Sequence, residues 1–207
     1  MLEILDLHVW RGERHVLRGL ALRLPEGQAL QLLWPNGAGK TSLLRAVAGL
    51  LPLESGRILW QGEDVAADRE AFSADLAFLG HELALKGDLT AAENLVYSVS
   101  LRQRIGRADV MAALDEVGLS RRADTPVRQM SAGQQRRVAL ARLGLWRARL
   151  WLLDEPAANL DPAGQRQVVA ALERHLATGG CALISTHQPL ALQPALTRLW
   201  QQPGEPA

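Results

Sequence analysis

A chain of 207 residues with 48% hydrophobic and 22% charged residues fits one globular domain with room for a subdomain and a sizeable core. Its formal net charge of +1 argues against a general polyanion-binding surface, so no nucleic-acid partner is expected, and its one cysteine, Cys181, excludes an internal disulfide and suits a reducing compartment. The opening MLEILDLHVW has acidic residues early, unlike a signal peptide, and the most apolar stretch, Val138 to Leu153, is interrupted by Arg142, Arg147 and Arg149, too charged to span a bilayer.

Three strand-like segments come first: Leu2 to Val9, Leu20 to Leu24 and Gln28 to Leu33, separated by Gly12, Gly19 and the turn Pro25 to Gly27. A helix is predicted from Lys40 to Ala48, ended by Gly49. SGRILWQGEDV reads as a short strand and turn, and residues 75–79 as another strand followed by a loop to Asp88. From Thr90 to Trp146 the pattern is mostly helical, and Thr90 with Glu93 and Ser131 with Gln134 each have capping-box spacing. The apolar run LWLL at 150–153 suits a buried parallel strand. A helix around Pro162 to Ala177 leads to a second buried strand, CALIST, at 181–186, and the final QQPGEPA reads as a loose tail. Strand and helix alternate at both ends around a helical block, which predicts an α/β core with a helical subdomain.

WPNGAGKTS, residues 34–42, nearly matches the phosphate-loop pattern G-x-x-x-x-G-K-[ST]. Gly37 and Gly39 let the backbone approach phosphate oxygens, and the amides at the helix start point at the anion. Lys40 would reach the β- and γ-phosphates, and the Thr41 hydroxyl would ligate Mg²⁺. Lys40 is one of two lysines, with Lys86, against 21 arginines. A sequence that prefers guanidinium has placed a compact ammonium here. The first motif position, however, holds Trp34 instead of glycine. Were φ > 0 required there, tryptophan would cost about 1–2 kcal/mol. We therefore expect φ < 0 at Trp34, with the indole packed among core side chains away from the phosphates. A plain glycine-containing strand-to-helix turn is the competing reading of the segment.

LWLLDEP supplies a complement. Asp154 emerges at the carboxyl end of an apolar strand, where open α/β sheets bind ligands, and it fits a Mg²⁺ partner. Glu155 fits a base that orients or deprotonates water. Taken alone, the pair is also a common way to end a strand before proline. MSAGQQRRVALAR at 130–142 is explained in isolation by a capping box opening a helix. It also closely resembles the LSGGQ signature of ABC-type ATPases. Asn159 to Asp161 and Ser185 to His187 fall where that family has its D-loop and its switch histidine. The motifs keep the family's order from Gly37 to His187, and the chain resembles an ABC transporter nucleotide-binding subunit over nearly its whole length.

The resemblance implies a P-loop NTPase (RecA-like) α/β core, an N-terminal antiparallel β subdomain and an inserted α-helical subdomain, in a single domain over 1–207. The core and β subdomain would take about 1–80 and 148–202, and the helical subdomain about 81–147. ATP and Mg²⁺ are the implied cofactors. The phosphates would lie against Asn36, Gly37, Ala38 and Gly39 together with Lys40, Thr41 and Ser42, and the metal against Thr41 and Asp154. Glu155 would be the catalytic base, and His187 would contact the γ-phosphate. Two copies would pack head to tail, so that Ser131, Ala132, Gly133, Gln134 and Asp161 of one chain face a nucleotide on the other. An aromatic residue near the N-terminus usually stacks on adenine in this family. Trp10 is the candidate, with a surface or core tryptophan as the alternative. Where the family has a glutamine touching Mg²⁺, alignment on LTAAENL (89–95) places His81, whose charge depends on pH. His81 is a catalytic and metal-contacting candidate, with a plain loop histidine as the alternative.

LGH at 79–81, SAGQQRRVALARL at 131–143, STHQPL at 185–190 and the short length resemble the ATPase subunits of bacterial haem exporters in cytochrome c maturation. This implies a peripheral protein at the cytoplasmic face of the bacterial inner membrane, in contact with the membrane only through separate transmembrane permease subunits. Its ATPase would drive haem export or release of a haem-loaded chaperone. No C-x-x-C-H occurs, and haem binding by this chain is not expected. An ABC transporter ATPase for another substrate is the competing reading. A soluble ABC ATPase of DNA repair would need a long coiled coil and a translation factor two tandem cassettes, and the sequence has neither.

Overall fold

The computed structural model describes residues 1–100 and 103–201. They divide into two compact units, the first of Met1–Gly80, Ala148–Glu155 and the chain from Leu172 on, the second of His81–Arg147 and Pro156–Ala171. The expected loose tail, Gln201 to Ala207, lies outside the described residues from 202 onward.

The first unit begins with β1 (Leu2–Arg11), β2 (Arg14–Leu24), β3 (Ala29–Leu32) and α1 (Lys40–Val47). It continues with β4 (Ser55–Trp60), β5 (Glu63–Asp64), α2 (Arg69–Ala74) and β6 (Leu76–Leu79). The second unit holds α3 (Ala91–Ser100), α4 (Arg107–Glu116) and α5 (Ala132–Leu145). β7 (Leu150–Asp154) returns to the first unit, α6 (Pro162–Ala177) starts in the second and ends in the first, and β8 (Cys181–Ser185) and β9 (Thr197–Trp200) complete it.

Two sheets make up the first unit. The antiparallel one has the order β2-β1-β4-β5 and the parallel one β6-β7-β8-β3-β9. β2 starts six residues earlier than the alternation of its own side chains announces. Its pairing with β1 runs from Arg11↔Arg14 to Leu2↔Leu24, and cross-strand bonds recruit residues whose local pattern is silent. β9, which joins β3 from Ala29↔Thr197 to Leu32↔Trp200, carries no alternation signal in its four residues. Every residue of β3, β7 and β8 is buried, as expected of strands covered on both faces. The core between the sheets and α1 includes Leu2, Ile4, Leu30, Trp34, Leu43 and Trp200.

In the second unit, α3, α4 and α5 pack on one another. The chain leaves helix between Val117 and Ser131, where two short 3₁₀ turns intervene, so the predicted helical block is three helices. Both capping boxes form: Thr90 exchanges hydrogen bonds with Glu93 at 2.8 and 3.2 Å, and Ser131 with Gln134 at 3.0 and 3.3 Å. Buried Asn94 pins the segment before α3, donating to the carbonyls of Lys86, Leu89 and Thr90 and accepting the Lys86 amide.

At the end of α6, His175 stacks flat on Trp151, ring centroids 4.0 Å apart, and donates from Nε2 to the Cys181 carbonyl at 3.2 Å. Burial outweighs that hydrogen bond and lowers the His175 pKa from 6.5 to about 4, so the folded chain holds this ring neutral. The unfolded chain takes up the proton first as pH falls. His175 therefore costs stability progressively from pH 6.5 down to about 4, on the order of 3 kcal/mol at the lower end. Chemical denaturation across this range should show that fall in the wild type and a flatter profile in His175→Phe.

Candidate functional site

The parallel sheet brings three strand ends to one level. Leu32 pairs with Ser185, and Ser185 with Asp154. Strand order reverses between β8 and β3 relative to chain order, and the carboxyl edge at such a point is where open α/β sheets bind ligands.

From β3 the chain passes through Trp34 into a turn, with the Ala38 amide donating to the Pro35 carbonyl at 3.2 Å, and then into α1. Gly37 and Gly39 have φ of 76° and 104°. Gly39 is doubly required, since a Cβ there would lie 2.8 Å from Val16 Cγ1 and 2.9 Å from Leu17 Cδ2 on β2. Gly39 caps α1 without any side-chain hydrogen bond, so the helix start presents backbone donors suited to an anion. Asn36 and Gly37 are exposed, Ala38 and Thr41 half-buried, and Ser42 buried.

Lys40 is buried, and its Nζ donates to the Trp34 carbonyl at 2.7 Å. Position 34 thus serves the loop through its backbone. Trp34 is absent from the residues with positive φ. Its indole is 1% exposed and meets Trp200 edge-on, centroids 4.9 Å apart. The indole N–H finds no partner among the described residues, at a cost of about 1–3 kcal/mol. Burying an indole of about 150–250 Å² at about 25 cal/mol/Å² gives about 4–6 kcal/mol and outweighs it.

Asp154 ends β7 buried, and its Oδ2 accepts the Thr41 hydroxyl at 2.9 Å. Its Oδ1 accepts the Ser185 hydroxyl. Glu155 follows at φ 51°, a left-handed conformation costing an L-residue about 1–2 kcal/mol. The Glu155 amide donates to the Ser185 carbonyl at 3.0 Å and to its hydroxyl at 3.2 Å. This turn brings Glu155 Oε1 to 3.4 Å from Nε2 of His187, whose side chain is 57% exposed. Lys40, Thr41, Asp154, Glu155 and His187 thus gather within the first unit.

Hydroxyl and carboxylate oxygens at Thr41 and Asp154, already 2.9 Å apart, are the hard donors Mg²⁺ prefers. Trp10, at the end of β1, is 44% exposed and lies flat on His15 at 4.6 Å, which makes it a surface platform and not a core residue. His81 is exposed just after β6 and belongs to the second unit.

That unit assembles the other predicted segment. Ser131 and Ala132 are exposed at the start of α5, with Gly133 and Gln134 half-buried. A Cβ on Gly133 would lie 3.0 Å from the Asn159 carbonyl, so glycine lets the two segments meet. Asp161 accepts the Gly164 amide at 2.8 Å, capping α6, and an Arg137 guanidinium at 3.0 Å. Its carboxylate therefore has local structural work.

Three contributors escaped sequence reasoning. Arg14 donates to the Gly37 carbonyl at 3.2 Å. Buried Gln31 of β3 donates to Leu190 O and Thr197 Oγ1 and accepts the Leu190 amide, fixing the chain beyond His187. Ser185 is the third. Gln31 and Ser185 did carry a signal, each a polar residue inside an apolar strand.

A parallel sheet with a phosphate loop after β3 and an acidic pair after β7 defines a P-loop nucleotide-binding protein. The family model described as ABC transporter matches residues 5–158. The chain is 44% identical over 190 residues to the cytochrome c biogenesis ATP-binding export protein CcmA of Yersinia pestis, covering 92% of this chain and 87% of that protein. It is 43% identical over 207 residues to the protein of that name, CcmA 2, from Cupriavidus metallidurans, covering 100% and 98%. A putative ABC transporter ATP-binding protein from Pyrococcus furiosus superposes with a TM-score of 0.83 at 25% identity, covering 96% of each chain. The chain belongs to the ABC transporter family.

Trp34→Gly would restore the usual first glycine. Because the Trp34 carbonyl, and not its side chain, holds Lys40, the exchange should leave nucleotide affinity no tighter while removing about 3–5 kcal/mol of stability. Calorimetric titration beside a thermal melt separates this from an obstructing indole, which would yield tighter binding in the variant.

Proposed function

We propose that this chain is the ATP-hydrolysing subunit of a membrane ABC transporter complex acting in cytochrome c biogenesis, in haem export or release of a haem-loaded chaperone. The observation that carries the hydrolytic reading is the Glu155 carboxylate, held 3.4 Å from His187 and next in sequence to the Thr41-bonded Asp154. The names of the relatives support the transport role.

Adenine would stack on Trp10, and the phosphates would lie against the amides of Gly37 to Thr41. Lys40 would exchange the Trp34 carbonyl for phosphate oxygens, a trade of a neutral acceptor for an anionic one. Thr41 and Asp154 would hold Mg²⁺, which when bound neutralises charge on the β- and γ-phosphates. Glu155 would take the proton of an attacking water, and His187, beside it, would donate to the γ-phosphate. His81 would take the place of the family's metal-contacting glutamine. ADP and phosphate are the products.

The segment Ser131, Ala132 and Gly133 would face the γ-phosphate on a second copy, through the Ala132 and Gly133 amides since Gln134 takes that of Ser131, with Gln134 and Asp161 at the same junction. The exposed, capped start of α5 supports this reading. Separate permease subunits would hold the pair at the cytoplasmic face of the bacterial inner membrane. Among the described residues no helix is long and apolar enough to cross a membrane.

Glu155→Gln should keep nucleotide binding and lose about 10²-fold or more in kcat, the range for removing a general base. Near-wild-type hydrolysis in that variant would sink the assignment. In the same background, saturating Mg-ATP should drive the chain to a dimer in sedimentation, and adding Ser131→Arg should return it to a monomer. A dimer indifferent to Ser131→Arg would count against the two-chain site.

A further inference from the structure

Ser185 is the one hydroxyl residue of β8, fully buried at the strand's last position beside Asp154. A hydroxyl offers one donor and two acceptor lone pairs. Here the donor goes to Asp154 Oδ1, and the oxygen receives the Glu155 amide at 3.2 Å. The Ser185 carbonyl takes the same amide at 3.0 Å. One residue therefore grips both members of the acidic pair.

The two grips have different effects. With Oδ1 engaged by Ser185, Oδ2 of Asp154 is the oxygen turned to Thr41. Glu155 stands at φ 51°, where an L side chain rarely settles. The shared amide bond holds it in that turn, with its carboxylate beside His187.

From this geometry we propose that Ser185 is a positioning residue for hydrolysis, setting the Asp154 rotamer and the Glu155 backbone without touching nucleotide or water. The inference rests on the reading of Glu155 as the base. It follows that losing the Ser185 hydroxyl costs kcat more than nucleotide affinity, since Glu155 depends on it while Asp154 keeps its bond to Thr41. An ordinary buried serine would instead affect stability only.

The test compares wild type, Ser185→Ala, Ser185→Thr and Ser185→Cys for kcat and KM with Mg-ATP, alongside thermal melts. Ser185→Ala should lose at least about tenfold in kcat, the scale of a misplaced catalytic group, with a smaller change in KM. Ser185→Thr retains the hydroxyl and should recover kcat to within about threefold of wild type, while Ser185→Cys, a weak donor, falls between. Wild-type kcat in Ser185→Ala overturns the proposal. So does a kcat loss that simply tracks melting temperature across the three variants. Should Ser185→Ala fail to fold, Ser185→Cys decides, and an unchanged kcat there overturns it as well. An inactive wild-type chain, or a fully active Glu155→Gln, would strike the reading of Glu155 itself.

Discussion

Three buried parallel strands end at the same level because backbone pairing sets Leu32 beside Ser185 and Ser185 beside Asp154. The phosphate loop, the acidic pair and the segment carrying His187 each leave from one of those ends. A one-residue slip of β7 would carry Asp154 to the opposite face of the sheet, away from Thr41. The apolar residues before it resist such a slip. Leu150 to Leu153 are all buried, and shifting them would push a carboxylate into a layer that holds no partner for it. Packing that serves stability thus also sets the coordinates of the chemistry.

Polar residues in and just after the two neighbouring strands refine this arrangement. Gln31 sits inside β3 fully buried, with both ends of its amide engaged. It ties the segment around Leu190 to the sheet. The Thr186 hydroxyl bonds the Gln188 carbonyl at 2.6 Å and closes the turn that carries His187. His187 is therefore exposed at its tip and fixed at its base. Buried hydrogen-bonding groups are costly unless satisfied. Satisfied, they leave the chain few other ways to run.

Much of this was legible in the sequence because the signals were local. Glycine spacing before Lys40, capping-box spacing at Thr90 and Ser131, and apolar runs ahead of Asp154 and Ser185 each depend on neighbours a few positions apart. What stayed hidden depends on pairing across the fold. β9 is four residues whose strand character comes from lying beside β3. The first six residues of β2 owe theirs to β1. Pro156–Ala171, which the sequence groups with the core, clusters with the helical unit. Within that unit Asp161 pairs with Arg137 and Gly133 admits Asn159. Neither contact has a signature in the intervening stretch of chain.

The lysine of the phosphate loop rests on a main-chain carbonyl, and every amino acid owns one. The hold on Lys40 is therefore indifferent to the side chain at residue 34 so long as the peptide group keeps its direction. In this chain the vacated freedom has gone to a tryptophan that packs edge-on against Trp200 at the end of β9. A pattern spelled in side chains treats position 34 as broken. Spelled in peptide groups, the same loop is whole: what defines it is where oxygens and amides point, not the letters that carry them.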